Sequence, residues 1–110
     1  MKIRVTLLSV LLVFVGNMAL AAGWSGGANI QEIYPSPGNN GVFIKHGSMP
    51  NPDNCPSPGY YLLPKDNPLF SEIYALLMSA QARQATINIQ IVSCGGENNL
   101  YPLIYQVIAN

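Results

Sequence analysis

The side chains that could do acid–base catalysis are few and far apart in this sequence. His46 is the only histidine, and we interpret it as a surface residue at the end of a strand, with a catalytic base as the alternative. Hydrolysis of a glycosidic bond needs two carboxyl groups that flank the bond. The acidic residues fall in turns or on the polar side of a helix, where nothing pairs two of them across a cleft: Asp53, Asp66, Glu72 and Glu97. The sequence therefore predicts a protein that is not an enzyme.

Oxygen ligands for a metal gather in one loop, at Asn51, Asp53 and Asn54. Their spacing fits no Ca²⁺-binding loop motif, and turn formation explains them better. We find neither a zinc-binding spacing nor a glycine-rich phosphate cradle after a strand. We therefore expect no metal and no cofactor.

The first twenty or so residues have the three parts of a secretory signal in the usual order. Lys2 and Arg4 make a positive start, residues 6–15 are apolar, and residues 19–21 (ALA) fit the rule for signal peptidase. The apolar run is shorter than the roughly 20 residues of a membrane span. We predict cleavage after residue 21, with the next bond and an uncleaved anchor as alternatives. Residues 22–110 are then a single domain that is secreted or periplasmic, with no stable membrane insertion.

The predicted mature chain carries three basic and five acidic side chains, a formal charge of −2. It has no basic stripe, so electrostatic attraction to a phosphate backbone is missing. Nucleic acid is therefore excluded as the expected partner.

Two cysteines, Cys55 and Cys94, follow the signal. In an oxidising compartment a disulfide is the default interpretation, and two cysteines allow one intramolecular pairing. It would close a loop of about 40 residues, worth about 4 kcal/mol in the chain-entropy model. A domain this short often needs such a covalent link.

The hydrophobic pattern predicts the element order β-β-β-α-β-β. Residues 29–34, 42–46, 60–63, 86–92 and 101–108 are the predicted strands, and residues 69–83 the helix. Ile30 and Ile33 are three residues apart, which breaks the alternation of the first strand and indicates a bulge. The last strand is apolar on both faces, so its second face needs cover from the helix or from another subunit.

The helix has the clearest local signal. Asn67 is a good N-cap and Pro68 a good first helical residue. Phe70, Ile73, Leu77 and Ala80 then recur at helical spacing, which predicts the buried stripe.

Five short strands with one helix between the third and fourth are the element order of the OB-fold, a small five-stranded barrel. Closure of the barrel would remove the strand edges that a flat sheet exposes. The alternative is an open antiparallel sheet with one helix on a face. The sequence therefore favours a mostly β, OB-fold-like barrel with one disulfide.

Several short motifs resemble the OB-fold binding (B) subunits of bacterial A–B toxins of the subtilase cytotoxin and typhoid toxin type, and related small exported bacterial proteins. They are residues 23–26 (GWSG), 42–45 (VFIK), 70–73 (FSEI), 87–89 (INI) and 101–103 (YPL). The resemblance implies export, an OB-fold, a ring-shaped homo-oligomer and a glycan ligand, with Lys45 as the one matching ligand-site residue. The chain departs from those subunits in two places. Its second cysteine lies beyond the helix, and the serine-bearing segment that they use to hold sialic acid is shortened to residues 28–30.

Aromatic side chains are the remaining candidates for a binding site. Trp24 is the only tryptophan, in a segment that we expect to be flexible, and Tyr60 and Tyr61 must point to opposite faces of a strand. We predict ligand binding through Trp24, Lys45, Tyr60 and Tyr61. The expected function is an exported, non-enzymatic module that recognises a glycan or a protein partner. The alternative is a stand-alone periplasmic structural or inhibitory protein without a glycan ligand.

Overall fold

A computed structural model describes residues 23–109, so the predicted signal segment lies outside the described residues. The element order is the predicted one. The strands are β1 (Ala28–Ser36), β2 (Gly41–His46), β3 (Tyr61–Pro64), β4 (Thr86–Gly95) and β5 (Tyr101–Ala109), and the helix is α1 (Phe70–Arg83). Short 3₁₀ turns at Pro37–Asn39 and Glu97–Asn99 join β1 to β2 and β4 to β5. With 14 residues, α1 falls short of a membrane-crossing helix, and no other helix within 23–109 has the length and hydropathy for one.

The five strands close into a ring in the order β1-β2-β3-β5-β4, with β4 returning to β1. The alternative prediction of an open sheet is therefore wrong. The β1–β2, β2–β3 and β4–β5 pairs are antiparallel and extensive. The two remaining joins are thin: β3 and β5 run parallel with one register pair, Leu62 with Leu103, and β1 meets β4 only at Ala28 and Asn29.

The core fills the inside of the ring. Ile87, Ile89 and Ile91 alternate along β4 as predicted and are all buried. The predicted stripe of α1 is confirmed, with Ile73, Leu77 and Ala80 buried, and Phe70 packed against the same cluster. Because α1 contacts β1, β3, β4 and β5 together, it lies across one end of the ring. Each fully buried aliphatic side chain contributes about 1.5–3 kcal/mol.

The helix begins later than predicted. Its first residue is Phe70 and Leu69 takes the N-cap position, so the assignment of Asn67 as N-cap and Pro68 as first helical residue is wrong. Asn67 instead holds the turn before the helix: its Oδ1 accepts a hydrogen bond from the Leu69 N–H at 2.9 Å. Its Nδ2 donates to the carbonyl of Tyr105 on β5 at 3.1 Å. This tertiary contact fixes Asn67 outside the helix.

Bulges decide which side chains point inward. The predicted bulge in β1 is confirmed by a register shift between Ile30 and Glu32. On β5, Ile104 pairs with Ile91, and Gln106 pairs with Gln90, which leaves Tyr105 as an extra residue. Strict alternation along β5 is therefore interrupted, and Leu103, Tyr105 and Val107 do not form one continuous row. Tyr105 is 59% exposed, whereas its neighbour Ile104 is buried.

The segment before β1 is not the flexible start that its glycines indicate. The Gly23 carbonyl accepts a hydrogen bond from the Ile91 N–H at 2.6 Å, and the Ser25 N–H donates to the Ile89 carbonyl at 2.8 Å. Residues 23–25 thus continue the thin β1–β4 join along β4. A segment of three residues is too short to show a hydrophobic period, so its pairing with β4 cannot be predicted from its own sequence.

His46 is buried, at 2% exposure, and its interpretation as a surface residue is wrong. Its Nε2 lies 2.8 Å from the Ile87 carbonyl oxygen and 3.1 Å from that of Ala28. Its Nδ1 lies 2.8 Å from the Ser48 carbonyl oxygen. The ring of His46 therefore joins β2 to both strands of the β1–β4 closure.

The predicted disulfide between Cys55 and Cys94 is present and spans 39 residues. It ties the proline-rich loop after β2 to the end of β4. The Asp53 carboxylate reinforces this join by accepting the Ser93 N–H at 2.8 Å. The loop has little apolar burial of its own, so these links hold it in place.

Replacing both cysteines by serine should lower the free energy of unfolding by about 2–5 kcal/mol, because the unfolded chain regains the freedom that the closed loop removes. Urea denaturation of the oxidised protein and the double variant measures the difference. Reductant should destabilise the parent protein and leave the double variant unchanged. Equal midpoints for all samples would contradict the prediction.

His46→Phe should lower the free energy of unfolding by about 1–3 kcal/mol, since buried carbonyl groups lose their partner. The same substitution should raise the hydrogen-exchange rate of the amides around Ala28 and Ile87, where the ring closes. Unchanged stability and unchanged exchange at the closure would show that His46 does not hold it.

Candidate functional site

Four aromatic rings pack together on the outer side of the ring of strands, and we call them the aromatic shelf: Tyr34, Phe43, Tyr60 and Tyr101. Val42 and Ile44 belong to the core, so Phe43 between them must point outward. It lies at the centre of the shelf, with ring centroids 5.3 Å from Tyr34, 5.2 Å from Tyr60 and 4.7 Å from Tyr101. Phe43 is itself only 4% exposed, because the three tyrosines surround it.

The β1–β2 hairpin positions the shelf. Tyr34 lies opposite Phe43, and Glu32 lies opposite Lys45. The bulge before Glu32 lets Ile30 and Ile33 both point inward, which leaves Glu32 and Tyr34 on the outer face. Tyr34 is the most exposed residue of the shelf, with 42% of its surface accessible.

Two polar side chains border the shelf beside Tyr60. The Tyr60 hydroxyl donates a hydrogen bond to Glu32 Oε1 at 2.8 Å. The Lys45 ammonium lies 5.4 Å from the centroid of the Tyr60 ring, within range of a cation–π contact. The hydrogen bond to Glu32 raises the pKa of Tyr60, with smaller contributions from desolvation and from the Glu32 charge. Tyr60 is therefore held in one orientation as a neutral phenol.

The four predicted ligand residues fall in three places. Lys45 and Tyr60 come together at the shelf. Tyr61 points inward, is fully buried, and donates its hydroxyl to the Pro50 carbonyl, so it offers no surface to a ligand. Burial also raises the pKa of Tyr61. Trp24 is partly buried and bridges to Gln90 of β4, a strand that contributes no ring to the shelf.

Sequence reasoning missed Tyr34, Phe43 and Tyr101 as parts of a site. A signal for the first two was present. Residues 37–40 form the turn of a tight hairpin, and residues equally distant from its centre lie opposite each other. That counting places Tyr34 against Phe43, as the structure does. Tyr101 had no comparable signal, because it comes from a strand distant in the sequence.

Beside the shelf lies a polar cleft of about 510 Å³ between the β1–β2 turn and the β4–β5 turn, which we call the loop cleft. Its floor includes Leu62, Leu103 and Gly95. Its polar lining is Asn39, Asn40, Asp66, Glu97 and Asn99.

The two turns that border the loop cleft are tied to each other. Asn39 Oδ1 accepts a hydrogen bond from the Glu97 N–H at 2.7 Å, and Asn39 Nδ2 donates to the Ser36 hydroxyl at 3.0 Å. Gly96 lies where cleft and shelf meet: a Cβ there would come within 2.8 Å of Asn39 Oδ1 and 3.1 Å of the Tyr101 ring. A side chain at this position would crowd both neighbours, and the φ of 79° at Gly96 is a backbone conformation that favours glycine.

The aromatic shelf and the loop cleft together can bind a ligand by stacking and by hydrogen bonding. Within residues 23–109, no group of three or more His, Cys, Asp or Glu is arranged to hold a metal ion. The shelf presents ring faces and one hydroxyl–carboxylate pair, and the cleft presents amides and carboxylates. Such a surface suits a ligand with both apolar faces and many hydroxyl groups.

Comparisons with protein-family models, with curated protein sequences and with solved structures find no match to this chain.

Glu32→Ala should lower the pKa of Tyr60 towards that of an ordinary tyrosine, because the phenol loses its acceptor and the phenolate no longer faces a carboxylate. The absorbance of phenolate during an alkaline titration measures it, and Tyr60→Phe identifies which step belongs to Tyr60. Glu72→Ala, which removes an exposed carboxylate from α1, is the matched control and should leave the titration unchanged. An unaltered Tyr60 step in Glu32→Ala would contradict the assigned contact.

Proposed function

We propose that this chain is an exported, non-enzymatic binding module of the OB-fold type that recognises a glycan through the aromatic shelf. The observation that carries the proposal is the cluster of three tyrosines around Phe43 on the outside of the strands. The core is already filled, so its packing does not explain an aromatic cluster on the outer surface. Clusters of large aromatic side chains are typical of binding surfaces.

The position of the shelf supports the OB-fold part of the proposal. OB-folds bind oligosaccharides and oligonucleotides on the face of strands 2 and 3, between the loops that join strands 1–2 and 4–5. Here Phe43 and Lys45 come from β2, Tyr60 directly precedes β3, and the loop cleft lies between the corresponding two turns. The closed strand order and the single helix between β3 and β4 agree with that fold.

The chemistry of the surface favours a sugar over a nucleic acid. Sugar rings have apolar C–H faces that pack on aromatic side chains and hydroxyl groups that bond with amides and carboxylates. A nucleic acid would need basic side chains along its backbone. The shelf instead has one lysine, Lys45, across from the acidic Glu32.

Export is the remaining part of the proposal. The predicted signal supports it, and the disulfide between Cys55 and Cys94 is compatible with an oxidising compartment. Secretion beyond the envelope and retention in the periplasm both satisfy these observations. Fractionation of cells that express the full chain, followed by N-terminal sequencing, tests the cleavage.

A glycan array with the mature protein, followed by calorimetry on any hit, tests the ligand. Tyr60→Ala and Tyr34→Ala should each weaken binding by about tenfold or more, as expected of central aromatic contacts. Tyr105→Ala is the matched control: this tyrosine is exposed but lies on the β5 bulge, outside the shelf, so its loss should leave the affinity unchanged. Circular dichroism confirms that each variant is folded.

An empty array would overturn the glycan proposal, as would binding that survives both shelf substitutions. A stoichiometric protein recovered from the native envelope would then favour the structural or inhibitory role. Assembly into a ring stays a prediction from the resemblance, and a monomer in light scattering at micromolar concentration would contradict it.

A further inference from the structure

The loop cleft is large enough for a ligand of its own. Its volume of about 510 Å³ lies within the usual range of small-molecule sites, about 300–1,000 Å³. Its shape is set before any ligand arrives, because the Asn39–Glu97 hydrogen bond joins the two turns that form its walls. Asn40 and Asn99 hold left-handed conformations in those turns, with φ of 50° and 54°.

The cleft also continues the aromatic shelf. Leu62 forms part of its floor and pairs with Phe43 on the neighbouring strand. Gly96 of the cleft packs within reach of Tyr101 of the shelf. The shelf and the cleft therefore adjoin on the outer side of the strands, so one oligosaccharide can contact both.

The charge in the cleft has one sign. Asp66 and Glu97 are its two titratable lining residues, and no Lys, Arg or His lines it within the described chain. The neighbouring lysines are directed elsewhere: Lys45 lies over the Tyr60 ring and Lys65 over the Phe70 ring, each 5.4 Å from the centroid. A carboxylated sugar in the cleft would face two carboxylates with no cation to balance them, whereas an ammonium group would be attracted.

We infer that the loop cleft is a second sugar subsite that favours an amine-bearing hexose unit and rejects an acidic one. The inference rests on the proposed glycan function and deepens it. It also separates this chain from the toxin subunits of the resemblance, which hold sialic acid, since sialic acid carries a carboxylate. Both carboxylates in the cleft are solvent-exposed, so the preference that they create is modest and sensitive to salt.

Three oligosaccharides of equal length test the subsite by calorimetry in mildly acidic buffer, where sugar amines are protonated and carboxyl groups stay ionised. Oligomers of glucosamine carry ammonium groups, those of N-acetylglucosamine are neutral, and those of galacturonic acid carry carboxylates. The glucosamine oligomer should bind about tenfold more tightly than the galacturonate oligomer, in line with two exposed charge pairs. Raising the salt concentration should reduce this ratio by screening.

The double variant Asp66→Asn, Glu97→Gln should bring the ratio close to one, while the affinity for the N-acetylglucosamine oligomer changes by less than about threefold. Glu72→Gln, which removes a charge from the exposed face of α1, is the matched control and should preserve the ratio found in the parent protein. An unchanged ratio in the double variant, or tighter binding of galacturonate by the parent protein, would overturn the inference.

The two proposals fail in different ways. Binding of the neutral oligomer that depends on Tyr60, with no preference among charged oligomers, would retain the shelf as a glycan site and reject the subsite. Absence of binding to all three oligomers and to the array would reject both.

Discussion

The closure between the N-terminal segment and β4 is the constraint on which the rest of this structure depends. Only Ala28 and Asn29 of β1 pair with β4, and residues 23–25 extend the join. His46 reaches both sides of it from β2, through the carbonyls of Ala28 and Ile87. A ring has no free strand edges, so this short join converts a twisted sheet into a closed core.

Closure has a direct consequence for the outer surface. Once the inside of the ring is filled by the isoleucines of β4 and the stripe of α1, the remaining large side chains of β1 and β2 must lie outside. The β1 bulge sorts them: Ile33 joins the core while Tyr34 faces Phe43 on the exterior. The aromatic shelf is therefore built on strands that the core already holds rigid, which is the best support for a binding surface.

A hydrogen bond and a disulfide hold the two turns beside the shelf. The β1–β2 turn and the β4–β5 turn meet through Asn39 and the Glu97 amide, while the disulfide anchors the end of β4 to the proline-rich loop. Covalent and polar links stabilise this part of the molecule in place of apolar burial, because a domain of this size buries only a small amount of apolar surface. The cleft between the turns keeps its polar lining exposed as a result.

The sequence by itself determined the element order, the β1 bulge, the buried faces of β4 and α1, and the disulfide, because periodicity, turn chemistry and cysteine pairing are local or uniquely specified. It also indicated Lys45, through the resemblance, and Tyr60 as one of two candidate tyrosines, but the contact of Lys45 with the Tyr60 ring was decided by the fold. Only the tertiary structure decided that His46 is buried, that residues 23–25 pair with β4, and that β5 has a bulge at Tyr105. It alone brought Tyr101 to Phe43 and Glu97 to Asn39. These outcomes depend on pairings between strands distant in the chain, and the pattern within a single strand carries no information about its distant neighbour.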